Sequence, residues 1–322
     1  MIAPAFWQTG RGPWPHVLAP VAALVAHCTA RRLARPGWRA PVPVICCGNA
    51  TVGGAGKTTL ALDLGQRIAG RGLAVHFLSR GHGGTIRGPH RVDPARDPAR
   101  MVGDEPLLLA GLAPTWIGAD RAETARAAIA AGADVLVMDD GLQNSTLVKT
   151  TTLLVIDGAR GFGNGRVLPA GPLREPVAAA AARATAAVLI GADAAGALAR
   201  LPPSLPILRA HLVADAAARA LAGVRVLAFA GIAHPEKFYA TLEQAGAVIV
   251  ARRGFPDHHR FRARELAGLE AEAARLGARP VTTPKDAVRL PPVLRERVAV
   301  AGVGLAWTDP AVLEAALDLW LA

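Results

Sequence analysis

Short apolar runs alternate with segments of helical periodicity along much of the chain. The runs that predict strands are Val42–Cys47, Ala74–Leu78, Val135–Met138, Thr152–Ile156 and Ala186–Ile190. The segments between them that predict helices are Lys57–Ala69, Glu105–Ala113 and Arg121–Ala131. In the first helix, Leu60, Leu64 and Ile68 recur on one face, as packing on a sheet requires. The alternation predicts a parallel sheet with helices on both faces.

A second, shorter series of apolar runs follows the proline-rich segment Leu201–Pro206. Its predicted strands are Val224–Ala230, Val248–Ala251 and Pro280–Thr282, and its predicted helices are Pro235–Ala245 and Ala263–Leu276. Because proline-rich segments mark turns and loops, we place a domain boundary after this one. We expect a larger domain over residues 1–206 and a smaller α/β domain over residues 207–322.

The N-terminal region combines a short apolar segment with tryptophans and arginines. Val17–Ala26 is apolar but shorter than the roughly 20 residues that span a bilayer. It does not have the features of a secretory signal. Trp7 and Trp14 precede it, and the residues that follow include Arg31, Arg32, Arg35, Trp38 and Arg39. This composition predicts a helix lying in a membrane interface, its arginines facing anionic headgroups. The alternative is an ordinary first helix packed on the domain.

Composition and charge narrow the classes of partner that we expect the protein to bind. The 322-residue chain is 52% hydrophobic and 19% charged, as expected for a packed globular protein, and its net charge is +11. This charge favours an anionic partner. Aromatic residues make up only 4%, without zinc-finger spacing, so we expect no nucleic-acid partner. Three cysteines, Cys28, Cys46 and Cys47, give no disulfide framework and fit a reducing cytoplasm.

A glycine-rich run with a lysine follows the first predicted strand and opens the first predicted helix. The run is Thr51, Val52, Gly53, Gly54, Ala55, Gly56, Lys57, Thr58 and Thr59. Strand, glycine-rich turn, Lys-Thr and helix form a phosphate-binding P-loop, whose backbone N–H groups cradle phosphates. The lysine reaches the β- and γ-phosphates, and the hydroxyl of Thr58 ligates Mg²⁺. Thr51 stands where the usual pattern has glycine, but the other glycines still allow close backbone approach.

Two carboxylates, Asp139 and Asp140, end the apolar strand Val135–Met138. In P-loop proteins, a carboxylate at such a strand end holds Mg²⁺. We therefore predict a metal site made by Thr58, Asp139 and Asp140, of which only one carboxylate need touch the ion.

A kinase also needs a group that takes the proton of the attacking hydroxyl. The candidates are Asp104, which can also cap the helix that follows it, and the run Asp257, His258 and His259 after a strand of the second series. A long segment rich in glycine, proline and arginine, residues 158–176, is of a length that is uncommon in loops without a function. Its arginines are suited to gripping a second phosphate.

Taken together and in order, these motifs resemble the tetraacyldisaccharide 4′-kinase (lipid A 4′-kinase) family. The motifs are Gly48-Asn49 with the P-loop, Ser79-Arg80-Gly81, Gly103-Asp104-Glu105-Pro106, Asp139-Asp140-Gly141-Leu142-Gln143, Gly161 to Gly165, Leu168 to Glu175, Gly231-Ile232, Asp257-His258-His259 and Thr283 to Ala287. They cover nearly the whole chain. The family usually has histidine at position 144, where this chain has asparagine. Because asparagine does not titrate, we expect no titrating side chain to act at this position.

The resemblance implies transfer of the γ-phosphate of ATP to the 4′-hydroxyl of a tetraacyldisaccharide 1-phosphate, giving lipid IVA, with Mg²⁺. It implies work at the cytoplasmic face of the inner membrane, without an obligate protein partner. The implied fold is a P-loop domain joined to a smaller α/β domain by two linker strands, here Ile207–Val213 and Val298–Val303.

The resemblance also assigns roles to particular residues. It implies catalytic roles for Asp104, His258 and Lys57, without deciding which of the first two is the base. It implies substrate-binding roles for residues in the shared motifs, namely Arg80, Asn164, Arg174, Glu175 and His259.

Two other classes of P-loop protein fit the sequence less well. Membrane-associated partitioning ATPases need a lysine where Val52 stands, and they do not need the Asp-His-His loop. GTPases read their base with Lys-x-Asp, whereas Lys285 and Asp286 are adjacent. A kinase explains the P-loop, the acids and the histidines together.

Overall fold

The computed structural model describes residues 4–291 and 295–322 as alternating strands and helices. The strands are β1 Val44–Gly48, β2 Val75–Ser79, β3 His90–Arg91, β4 Thr115–Ile117, β5 Val135–Asp139, β6 Thr151–Asp157, β7 Ala186–Ile190, β8 Ile207–Ala214, β9 Arg225–Ala230, β10 Val248–Gly254, β11 Arg279–Thr282, β12 Ala299–Val300 and β13 Val303–Trp307. The helices are α1 Phe6–Thr9, α2 Trp14–Val17, α3 Ala19–Leu33, α4 Lys57–Gly70, α5 Ala99–Val102, α6 Asp104–Ala110, α7 Arg121–Ala130, α8 Val177–Ala182, α9 Ala216–Arg219, α10 Pro235–Gln244, α11 Ala263–Arg275, α12 Pro284–Ala287 and α13 Pro310–Leu321.

Within the described residues, nine strands form the larger sheet, in the order β13-β8-β7-β6-β1-β5-β2-β4-β3. All neighbours are parallel except β13 with β8 and β3 with β4. Strand β1 lies in the interior of this sheet, between β5 and β6. Because parallel strands end at one edge, the turn after β1 meets the ends of its neighbours there.

Alternate residues of the central strands face opposite layers of helix. Ile45 and Cys47 of β1 join a buried cluster with α4 and α13, whereas Val44 and Cys46 pack in a cluster with α7. A parallel sheet covered on both faces needs strands that are apolar throughout, and β1 and β5 are buried along their whole length. The two neighbouring cysteines are therefore small core residues.

The smaller sheet has the order β10-β9-β11-β12, and its neighbouring strands are parallel. Helix α10 covers one face, where Phe238 and Leu242 pack with β9, and α11 covers the other, where Leu266 and Leu269 pack near Phe229. Each sheet therefore has its own apolar core with helices on both faces. This architecture confirms the predicted α/β fold class.

Strands β8 and β13 run antiparallel to each other, from Ala210↔Trp307 to Ala214↔Val303, and join the edge of the larger sheet. The first linker strand was predicted within one residue, but the second, β13, begins only at Val303, the last residue of the predicted segment Val298–Val303. Val298 and Ala301 are buried in the small core, while Trp307 is buried in the large one and donates from Nε1 to Asp63 Oδ2 at 2.9 Å. These contacts explain why the chain crosses between the sheets after Ala301. The division after residue 206 stays a prediction.

Candidate active site

The predicted P-loop connects β1 to α4 and brings Lys57 to the first position of the helix. Gly56, the residue before it, has a φ of 87°, and a Cβ there would lie 2.6 Å from Ile190 Cδ1. Only glycine fits this left-handed, crowded position. Lys57 is 9% exposed, so its side chain is buried at the helix N-terminus. Such a terminus, with its free N–H groups, favours an anion.

Asp139 ends β5 directly beside Cys47, the neighbouring position of β1. Its Oδ2 accepts a hydrogen bond of 2.9 Å from the Thr58 hydroxyl, and its Oδ1 is buried without a partner among the described residues. Burial, and then the charge of Glu105, raise the pKa of Asp139 to about 7, and Lys57 only partly opposes them. A buried carboxylate oxygen that lacks a partner, beside a hydroxyl, fits a cation.

Asp140, the next residue, has a φ of 54°, an uncommon conformation for a residue with a side chain. Its Oδ1 accepts from Arg174 Nη1 at 2.7 Å and lies 3.7 Å from Lys57 Nζ. Burial would raise the pKa of Asp140, but Lys57 and Arg174 outweigh it and hold the pKa below its ordinary value. Asp140 therefore stays ionised and links the P-loop lysine to the long loop.

The long loop packs against the P-loop rather than extending into solvent. Val52 N–H donates to Pro172 O at 2.8 Å, and Leu173 is fully buried. Behind Arg174, the carboxylate of Glu175 accepts from Gln143 Nε2 at 2.8 Å and from Arg183 Nη2 at 2.6 Å. Glu175 is 1% exposed, so it holds the loop from the protein interior. Its predicted contact with substrate stays a prediction.

A second cluster joins the two sheets. Asp104 is the first residue of α6, and His258 follows β10 on the smaller sheet with a φ of 59°. His258 Nδ1 lies 2.8 Å from Asp104 Oδ2, and Arg289 Nη2 donates to the same oxygen at 2.6 Å. Gly103 has a φ of 92°, and a Cβ there would lie 2.5 Å from His82 O, so glycine is required to start α6 here.

The charge state of this cluster follows from its contacts. Burial would raise the pKa of Asp104, but the hydrogen bonds and charges of Arg289 and then His258 outweigh burial and lower the pKa. The carboxylate is therefore ionised at neutral pH, and Nδ1 of His258 carries the proton that faces it. The His258 side chain is 66% exposed, which leaves Nε2 accessible.

The remaining predicted site residues lie apart from these clusters. The His259 ring stacks on Phe255 at 4.8 Å between centroids, and its Nε2 is 3.2 Å from Glu265. Asn164 donates to Phe6 O at 3.0 Å and so holds the N-terminal segment. Arg80 is exposed just after β2, at the edge of the sheet that carries the P-loop. Their substrate-binding roles stay predictions.

Two residues with a place in these clusters were missed in the sequence. Gln143 lies inside a quoted motif but received no role, although an amide three residues after Asp140 can reach both Asn49 O and Glu175. Arg289 lies three residues after Asp286, the spacing of neighbours on a helix, and this was the available signal. Asn144, which departs from the family pattern, accepts from Thr146 and Leu147 N–H groups and so caps a turn.

A P-loop at the carboxyl edge of a parallel sheet, with an acid ending the adjacent strand, is the arrangement of the P-loop phosphotransferases. Transfer to an alcohol also requires a proton acceptor, and a histidine paired with a carboxylate, as beyond this P-loop, is suited to that role. The fold and the site thus define a P-loop kinase.

Comparisons with known proteins identify the family. The family model described as tetraacyldisaccharide-1-P 4′-kinase matches residues 14–322. The chain is 59% identical to the tetraacyldisaccharide 4′-kinase of Gluconacetobacter diazotrophicus, over 100% of this chain and 98% of the relative. It is 56% identical to that of Rhodospirillum centenum, over 98% and 95%. A crystal structure of LpxK from Aquifex aeolicus in complex with ATP has a TM-score of 0.77 at 24% identity and covers 96% of this chain and 99% of that one.

The chain therefore belongs to the tetraacyldisaccharide 4′-kinase family. It is an enzyme, a kinase of lipid A biosynthesis, and the function predicted from the motifs is confirmed. The likeness to the Aquifex aeolicus structure independently supports the fold.

Proposed function

We propose that, in transferring the γ-phosphate of ATP to the 4′-hydroxyl of tetraacyldisaccharide 1-phosphate to give lipid IVA, this kinase combines the two clusters. The P-loop cluster would bind the nucleotide, and the Asp104–His258 pair would take the proton of the hydroxyl. The observation that carries this proposal is the 2.8 Å contact between His258 Nδ1 and Asp104 Oδ2, which joins the two sheets. A simple ATPase has no need of such a pair.

In this proposal, residues 51–59 bind the ATP phosphates through backbone N–H groups. Lys57 neutralises charge on the transferring phosphoryl group, the role that a P-loop lysine has in general. Asp140 keeps Lys57 in place before the nucleotide enters, because its carboxylate lies 3.7 Å from the ammonium. When a phosphate enters, Arg174 would turn from Asp140 towards it.

The residues present suit Mg²⁺, which would neutralise charge between the β- and γ-phosphates. Thr58 and Asp139 would hold it, because the buried Oδ1 of Asp139 lacks a partner among the described residues. Asp140 would contribute through its charge or through water, since protein groups already contact its Oδ1. The described residues contain no group of three or more metal-binding acid, histidine or cysteine side chains. Mg²⁺ in such sites typically has one or two carboxylates and completes its shell with phosphates and water.

For proton transfer, we assign His258 Nε2 as the acceptor and Asp104 as the carboxylate that orients the ring. Nδ1 donates to Asp104, so the neutral ring presents an unprotonated Nε2. Asp104 Oδ2 already accepts from Arg289 and His258, which makes it a poor proton acceptor. A carboxylate that accepts from one ring nitrogen in this way fixes the tautomer in which the other nitrogen acts as the base.

The substrate carries a 1-phosphate, which arginines at the carboxyl edge of the sheet would bind. Arg80 is exposed there, and Arg174 lies beside the P-loop. Asn164 and His259, with Glu175 behind Arg174, would shape the surrounding loops. We further propose that the smaller sheet and its helices close on the larger domain about the linker strands β8 and β13. Closure would bring His258 to the nucleotide and exclude water, which would otherwise compete as acceptor.

The N-terminal helices would bring the enzyme to its lipid substrate at the cytoplasmic face of the inner membrane. None of the helices among residues 4–291 and 295–322 is long and apolar enough to cross a membrane. Four apolar side chains of the N-terminal helices are nevertheless exposed, namely Trp14 at 57%, Val17 at 63%, Val21 at 49% and Leu24 at 62%. An exposed apolar patch near exposed arginines fits an interface with anionic lipids. Trp38 instead packs beneath Arg126 at 4.4 Å.

The test is transfer of ³²P from γ-labelled ATP to tetraacyldisaccharide 1-phosphate in detergent micelles with Mg²⁺. A doubly phosphorylated lipid whose formation requires Lys57, Asp104 and His258 supports the proposal. ATP hydrolysis without labelled lipid would contradict it and would favour a membrane-associated ATPase.

A further inference from the structure

We call the smaller sheet with its helices the smaller unit, and the larger sheet with its helices the larger unit. Arg289 follows α12 in the smaller unit, and its side chain is only 4% exposed. It meets Asp104 at the first turn of α6, which packs on the larger sheet. A buried arginine that joins two units through ion pairs needs partners for its charge and its donors. These partners show what the residue does.

The guanidinium is anchored on its own side before it reaches across. Its Nη1 donates to Asp286 Oδ1 at 3.0 Å and to Gly231 O at 2.9 Å. Asp286 is fully buried and is itself fixed, because Oδ2 accepts from the Thr283 hydroxyl at 2.7 Å and from Gly231 N–H at 3.0 Å. Two buried elements therefore set the plane of the Arg289 guanidinium.

The other edge of that plane points at one oxygen of Asp104. Nε and Nη2 of Arg289 donate to Asp104 Oδ2 at 2.9 and 2.6 Å, and His258 Nδ1 lies 2.8 Å from the same atom. Arg289 Nη2 is 3.2 Å from that ring nitrogen. The carboxylate thus sits where the arginine fork and the imidazole both reach it, and its orientation is fixed by the fork.

We propose that Arg289 is a positioning residue for phosphoryl transfer, holding Asp104 ionised and oriented so that the carboxylate fixes the tautomer and ring of His258. This rests on the proposed function of the Asp104–His258 pair. Arg289 and His258 come from the smaller unit, whereas Asp104 comes from the larger one. Arg289 therefore also couples contact between the units to assembly of the pair.

The neighbouring ion pair offers a matched control. Lys285 Nζ lies 3.1 Å from Glu105 Oε1, and the two side chains are 41% and 37% exposed. This pair joins α12 to α6, one residue along from Asp104, whereas Arg289 reaches α6 from the segment just after α12. Exposed pairs contribute little, so Lys285→Gln should change kcat less than about threefold, while it tests a general loss of contact between the units.

The experiment compares Arg289→Gln, Arg289→Lys and Lys285→Gln by lipid phosphorylation across pH. Asp104 and Arg289 face the His258 ring from the other elements, and Asp257 faces it from its own loop, with Oδ2 at 3.9 Å from Nε2. We expect Arg289→Gln to lower kcat about 10- to 100-fold, as loss of an orienting partner does elsewhere. Its acid limb should move to higher pH, because burial then raises the pKa of Asp104 unopposed by the arginine. Arg289→Lys keeps the charge, so its acid limb should stay near that of the parent while kcat is intermediate.

A double-mutant cycle tests whether Arg289 acts through Asp104. In an Asp104→Asn background, Arg289→Gln should change kcat less than about threefold, because the group it orients is already altered. Effects that multiply fully would overturn the proposal, as would an Arg289→Gln enzyme with parental kcat and an unmoved acid limb. A thermal melt checks folding, and if Arg289→Gln does not fold, Arg289→Lys carries the same cycle.

Two further variants distinguish failure of the proposed proton-transfer pair from failure of the positioning role of Arg289. If Asp104→Asn and His258→Ala keep parental kcat, the proposed proton-transfer pair is wrong, whatever Arg289 does. If those two variants lose activity and the Arg289 variants do not, only the positioning role is overturned.

Discussion

The P-loop cluster and the Asp104–His258 cluster are built in opposite ways. Lys57 and Thr58 are neighbours on α4, and Asp139 ends the strand that is hydrogen-bonded to β1, so this cluster lies at one edge of one sheet. Asp104 and His258 are 154 residues apart and come from elements that pack on different sheets. Lys57 and Asp139 are buried, whereas the His258 side chain is largely exposed.

This difference shows that the proposed phosphate site forms within the larger unit alone, whereas the proposed proton-transfer pair forms only where the two units meet. The phosphate site depends on a strand-turn-helix unit and one strand pairing, which form with the core of the larger domain. The proposed proton-transfer pair depends on how the smaller unit contacts the larger one, through His258 and Arg289. A change in the first cluster should therefore remove activity outright, while a change in the second should lower turnover and leave nucleotide binding intact.

The largest effect should come from Lys57→Ala. Removing the cation at the transferring phosphate should lower kcat about 10³- to 10⁵-fold, the range for such cations in phosphoryl transfer. The measurement is the ³²P-lipid assay, with the exposed Lys237→Ala on α10 as control. Turnover near the parental value would contradict the proposed role of Lys57 at the transferring phosphate.

His258→Ala tests the assembled cluster. We expect kcat to fall about 10²- to 10⁴-fold, the usual contribution of a positioned acid or base, while KM for ATP changes little because the P-loop is untouched. Steady-state kinetics with both substrates, alongside the exposed His211→Ala on β8, provide the check. A change confined to KM would make His258 a binding residue instead.

Membrane contact can be separated from both clusters. Leu24→Glu should weaken binding to vesicles that contain anionic lipid at least about tenfold, because a leucine side chain contributes roughly 1.5–3 kcal/mol when buried. Turnover of substrate in detergent micelles should be far less affected. Leu319→Glu on α13, a leucine that is 79% exposed, is the matched control. Equal vesicle binding by both variants would refute the proposed membrane surface.

The smallest effect is on stability, and it reports the burial of Asp139. The folded-state pKa of Asp139, raised to about 7, lies above its unfolded value. The stability it contributes is therefore fully present below the unfolded pKa and is lost as pH rises towards about 7.

Asp139→Asn removes this titration from the folded protein. Without Mg²⁺, the Tm of the variant minus that of the parent should rise between pH 4 and pH 7 and then level off, with a total change on the order of 5 °C. Differential scanning calorimetry measures it, and adding Mg²⁺ should reduce the difference at pH 7. A difference that does not depend on pH would show that Asp139 is not buried in the folded protein as the P-loop cluster requires.

The sequence by itself determined the elements with strong local patterns. Strand Ala186–Ile190 was predicted with its observed ends, and α4 and α11 within one residue, because apolar periodicity and glycines mark their limits. The P-loop and the acids at the end of β5 could also be placed, since both follow apolar runs and neighbouring parallel strands end together. The short strand β4 was missed, because three residues carry too little periodicity to be recognised.

Only the tertiary structure decided what lies far apart along the chain. The pairing of His258 with Asp104, the fork of Arg289 and the crossing from Ala301 to β13 depend on contacts between units. The same holds for Glu175, whose burial behind Arg174 follows from the fold of the long loop on the P-loop. Local sequence sets dihedral preferences and apolar faces, whereas the partner of a buried charge is chosen by the packing of distant elements, because an unpaired charge there is costly.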